Sequence, residues 1–148
     1  MNFYTFTLHF HSGIRWILVI LLIGTLLNSL IKWKGKMPFN KRDHSLQSFT
    51  VTLLHLQFLA GIILYAISPM VSFGPHMMGN NLQRFYTVEH VSLMVIAIII
   101  ITIGHIRSKK MEESARKFKT VFISFLIGFL VIMIAIPWPF RHLGAGWF

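Results

Sequence analysis

One stretch constrains this chain more than any other: Thr87 to Arg107, TVEHVSLMVIAIIIITIGHIR. Fourteen residues without a charge separate His90 from His105, and most are Ile, Val, Leu, Met or Ala. With its flanks the run is long enough to cross the hydrocarbon of a bilayer as one helix. At about 1.5 Å rise per residue, the two histidines are roughly 22 Å apart along its axis. Fifteen steps of about 100° leave them about 60° apart in azimuth, so both imidazoles share a side. Met94, Ala97, Ile101 and Gly104 fall on or near that side, and the small residues Ala97 and Gly104 predict room there. A helix offering one imidazole to each membrane face is what a protein holding two stacked haems needs. The plainer alternative is a pair of interfacial histidines anchoring the helix in the headgroups.

Composition places the rest of the chain in the same solvent. Of 148 residues, 55% are hydrophobic and only 12% charged, against about 25% charged in a soluble domain. The net charge of +10 does not point to nucleic acid, because the basic residues gather in two short segments. Cysteine is absent, which excludes disulfides, thiolate metal sites, Fe–S clusters and covalent haem attachment. Any haem is therefore expected to be non-covalent and b-type. With only four acidic residues, a carboxylate hydrolase or carboxylate metal cage is not expected.

In chain order, Met1 to Thr7 has neither a basic n-region nor a small-residue cleavage site, so no cleaved signal peptide is expected. Spans are predicted at about 8–31, 46–68, 87–107 and 120–136, forming an all-α integral membrane bundle of four antiparallel helices in a single domain, residues 1–148. The first helix begins LHFHSGIRW. His9 and His11 lie about 200° apart there, so only one faces the interior. His11 shares its face with Arg15, Thr25 and Ser29 and is the better inward candidate. In the second helix His55 shares a stripe with Ser48 and Thr52, while Gln57, Gly61 and Thr50 define another. The segments 32–42 and 107–119 carry five and six basic residues. The positive-inside rule makes both cytoplasmic and puts both termini in the periplasm, with the chain in a bacterial inner membrane. Trp16, Trp33 and Trp138 fall near the expected interfaces.

Depth then sorts the histidines. His11 and His90 lie at the outer ends of their helices, His55 and His105 in the inner halves. Two pairs, each drawn from two helices, predict two b haems with bis-histidine ligation, His11 with His90 and His55 with His105. His55 lies about two turns inside its helix and His105 only two residues from Arg107, so the inner pair requires tilt or a shifted boundary. His44, in the basic loop, is the next candidate. Arg15 and Arg141 are the expected outer partners for haem propionates. Glu89, the only acidic residue adjoining an apolar span, has three open uses: orienting an imidazole, exchanging quinol protons, or pairing with Arg15.

The runs HSGIRW (His11–Trp16), HLQFLAGIILY (His55–Tyr65), TVEH (Thr87–His90), IGH (Ile103–His105) and IPWPF (Ile136–Phe140) resemble a family of small four-helix membrane proteins of Bacteroidetes labelled "cytochrome B". More distantly the chain is similar to the cytochrome b561-type class, which includes superoxide oxidase. In that class the two ligands sharing a helix lie on the last span, whereas here they lie on the third. The resemblance implies a di-haem membrane oxidoreductase moving electrons across the membrane, with quinone as one partner. Two other classes stand beside it: a non-redox accessory subunit of a larger membrane complex, and an outer-face copper or zinc site built from His9, His11, His90, His142 and Glu89.

Overall fold

The computed structural model describes residues 2–144, 146 and 147. Its four long helices are α1 (Phe3–Lys34), α2 (Lys41–Ile67), α3 (Asn81–Lys109) and α4 (Ser114–Ala135). Each is long and apolar enough to cross a membrane, and no strand occurs among the described residues. Short 3-10 turns follow at Met77–Gly79 and Pro139–Arg141. The protein is a multi-pass, all-α membrane bundle running up, down, up and down.

The helices start earlier than the apolar runs do, because caps set the ends. Asn2, Asn40 and Asn80 each accept backbone N–H groups at the start of α1, α2 and α3, which are the donors a helix leaves without partners. At α2 the cap is reciprocal: Asn40 receives the Asp43 N–H, and Asp43 receives the Asn40 N–H at 3.0 Å. The bilayer needs only about 20 apolar residues, and Lys and Arg extend helices into the headgroups without strain. One consequence concerns the site. His44, expected in a loop, lies in the first turn of α2.

Around the bundle the order is α2, α1, α4, α3, so α1 and α3 sit diagonally. The α3–α4 seam is the most extensive and the α2–α3 seam the slightest. A Cβ placed on Gly104 would collide with the Ser124 side chain, and one on Gly128 with Ile101. Helices in lipid gain little from hiding apolar surface, so close backbone approach over small residues is what holds them together. The room predicted at Gly104 is therefore filled by α4, and Ala97, wholly buried, backs Gly128 through its carbonyl. The α1–α2 seam is tied by polar groups instead: Thr25 to Thr50 at 2.9 Å, and buried Asp43 to Lys32 at 2.6 Å and Asn28 at 2.9 Å. Outward, Ile20, Leu27, Leu59, Ile99, Ile103, Leu130 and Ile134 are exposed, the surface that lipid covers.

Candidate functional site

The site begins with a helix that a proline stops. Pro137 has no N–H to give the Met133 carbonyl. The indole Nε1–H of Trp138 takes that place at 2.8 Å. Arg141 donates to the carbonyls of Ile134 at 2.8 Å and Ile136 at 3.3 Å. The carbonyl of Ala135 is left for another helix, and His90 Nδ1 meets it at 2.8 Å. A carbonyl only accepts, so Nδ1 carries the proton and Nε2 keeps its lone pair. Helix α3 delivers His90 through a single π-helical turn, Phe85–Glu89, immediately before it. Such turns widen a helix by one residue and are frequent at functional sites. The Phe85 ring, buried, lies 5.8 Å from the imidazole between centroids.

His90 faces a cavity of about 350 Å³ in the end of the bundle away from the basic segments. All four helices contribute to its walls, which are mostly apolar: Leu18, Leu54, Phe58, Met94 and Ile132 among them. His11 lines it from α1, diagonally across from His90 on α3. Gly61 lines it from α2, and a Cβ there would stand 3.2 Å from His11 Cε1, so glycine gives the imidazole its berth. Gln57 donates through Nε2 to the His11 carbonyl at 2.8 Å, pinning α1 to α2 at this level. Three buried polar atoms on the walls have no partner among the described residues: His11 Nδ1, Arg15 Nε and Gln57 Oε1. Buried polar atoms are nearly always paired, so three orphans around one apolar cavity are groups that a bound molecule could satisfy. The Gln57–Gly61 stripe and the inward turn of His11 were legible in the sequence; the carbonyl that orients His90 was not, although IPWPF held its signal.

At the basic end the arrangement differs from the expected pairing. His55 Nδ1 donates to the Val51 carbonyl at 2.7 Å, and its Nε2 accepts from the Thr102 hydroxyl at 3.3 Å. Both ring nitrogens of His55 are thus engaged within the fold. His105 is 5% exposed, and its Nδ1 has no partner among the described residues. The imidazole beside it belongs to His44, with ring centroids 6.3 Å apart. Register explains the exchange. Tyr65 on α2 donates to the Thr87 carbonyl on α3 at 2.9 Å. From that contact His105 lies eighteen residues onward and His44 twenty-one residues back, roughly 27 and 32 Å of helix. His55 lies only ten residues back, and its ring reaches α3 at Thr102, three residues or about one turn short of His105.

The remaining candidates fall as follows. Arg15 is on the cavity wall, with one guanidinium nitrogen on the Trp147 carbonyl at 2.9 Å. Arg141 is not on the wall; besides the α4 carbonyls it covers the Phe85 ring at 4.9 Å. Glu89 pairs with Arg84 at 2.7 Å, not with Arg15. The π turn stacks residues five apart, which brings Arg84 and Glu89 together. His9 and His142 are exposed. Among the described residues no three His, Cys, Asp or Glu side chains converge as a metal cage, so the copper or zinc site expected from His9, His11, His90, His142 and Glu89 is not assembled.

No family model matches the chain, and no curated protein and no solved structure shows significant similarity to it.

Proposed function

We propose that the chain is a di-haem b-type cytochrome that moves electrons across the bacterial inner membrane, its basic end in the cytoplasm and its termini in the periplasm. The observation that carries this reading is the cavity between His11 and His90, with its three unpartnered polar atoms. Bundle cofactors are held by side chains from facing helices, and these two imidazoles come from diagonal ones. Bis-histidine ligation needs only two, so the lack of a three-ligand cage does not bear on it.

Bound haem would supply one-electron chemistry; the chain's residues set where it sits and how firmly. The Ala135 carbonyl fixes the His90 ring, holds the proton on Nδ1 and leaves Nε2 as the ligand atom, and such hydrogen bonds raise ligand basicity. His11 would be the second holding residue, with Gly61 keeping α2 clear of its ring. Arg15, whose Nε is buried and unpartnered, would meet a propionate. The apolar walls keep water from the centre. A membrane-soluble quinone is the electron partner we propose, with further subunits of a respiratory complex as the other macromolecular contact.

Detergent-purified protein should show the Soret and α bands of a reduced six-coordinate b haem after dithionite. His90→Ala should halve the haem content, and His9→Ala should leave it unchanged. A colourless parent, purified from cells supplied with haem, sinks the proposal.

A further inference from the structure

We infer that the second haem iron is held at the basic end by His44 of α2 and His105 of α3, and that His55 is not a ligand. The inference rests on the haem reading of the cavity and adds the ligand set of the other site.

Three observations carry it. The first is distance. Two imidazoles bound to opposite sides of one ion, at about 2.0 Å per metal–nitrogen bond with each ring centre roughly 1 Å behind its nitrogen, have centroids about 6 Å apart. The His44 and His105 rings are 6.3 Å apart. The second is an orphan. His105 is more than nine-tenths buried and its Nδ1 has no partner, a costly arrangement unless something occupies that nitrogen. Ser48, one turn along α2 on the face of His44, has an unpartnered buried hydroxyl as well. The third is the state of His55. Its Nδ1–H is engaged by Val51 and its Nε2 by Thr102, so ligation would break the Thr102 hydrogen bond, which holds the ring about one turn of α3 short of His105. With His44 in the role, each haem lies at one end of the bundle and α3 contributes a ligand to both. His55, between them, positions α2 against α3.

Haem per chain and the low-spin electron paramagnetic resonance signals of His44→Ala, His105→Ala and His55→Asn, beside the parent, test this. His44 is exposed in a first helical turn, so its replacement leaves the fold intact. The parent should hold two haems. His44→Ala and His105→Ala should each lose the same low-spin signal, and free imidazole should restore it in His44→Ala by refilling the vacated position. His55→Asn should keep both signals. A His44→Ala protein that retains both signals, or whose lost signal free imidazole does not restore, overturns the inference. So does a parent with a single haem that disappears in His90→Ala, which leaves the cavity reading standing. A parent without haem overturns both.

Discussion

The two seams of α3 use the same helix for opposite ends. Against α4 it is sealed: Gly104 lies against Ser124, and Gly128 lies against Ile101 and the Ala97 carbonyl. Against α2 it is held at arm's length by long polar side chains, Tyr65 to the Thr87 carbonyl and His55 to the Thr102 hydroxyl. The His44–His105 pair spans the loose side, and the cavity opens beside it, with His11 and His90 on its walls from the diagonal helices α1 and α3. In lipid, small residues pull helices together and do not hold space open. Space is kept where large side chains on neighbouring helices are braced apart. A glycine on a membrane helix therefore carries two meanings: Gly128 is a contact, whereas Gly61 makes a berth for the His11 ring.

The comparison breaks first at the sealed seam. Gly128→Leu should have the largest effect on the fold, since even its Cβ meets Ile101 and would stand 3.3 Å from the Ala97 carbonyl. Overpacking of this kind costs about 1–3 kcal/mol or more, read as a lower unfolding temperature in detergent. Gly61→Leu on the cavity wall, where α2 faces His11 of α1, should leave that temperature nearly unchanged while reducing haem at the cavity, because the new side chain takes the place of the His11 ring. If Gly61→Leu unfolded the protein as Gly128→Leu does, the sealed seam and the cavity wall would not differ as described.

A smaller effect sharpens the same contrast at the end of α4. Trp138→Phe should orphan the half-buried Met133 carbonyl that Pro137 cannot serve, at about 1 kcal/mol, the low end for a lost acceptor. His90 should keep its hydrogen bond to Ala135, so the haem spectrum should not change. A shifted Soret band in Trp138→Phe would show that the cap and the ligand move together.

How far this was legible in the sequence depends on what each signal measures. Apolar runs gave four spans and their order, because lipid demands some twenty uncharged residues whatever the fold. Helix azimuth turned His11 inward on the first helix and put Gln57 and Gly61 on one stripe of the second, since 100° per residue is a local property. Helix starts were less legible: charge was taken to end each span, while Asn40 and Asp43 begin α2 five residues before the expected start, at Lys41 in place of Leu46. That shift placed His44 on α2 and let it, rather than His55, stand beside His105. Gly104 and Ala97 were misread as open space because one helix alone does not tell which neighbour fills a gap. The Ala135 carbonyl was hidden for another reason. A helix end offers several orphan acceptors, and which side chain takes each is a tertiary outcome.

The most direct measurement of the central claim is haem per chain in the parent and in the double variant His11→Ala, His90→Ala, by pyridine haemochrome against quantitative amino-acid analysis. The account predicts two b haems in the parent and one in the double variant, the survivor being the basic-end haem. A parent that binds none, or a double variant that still binds two, would contradict it.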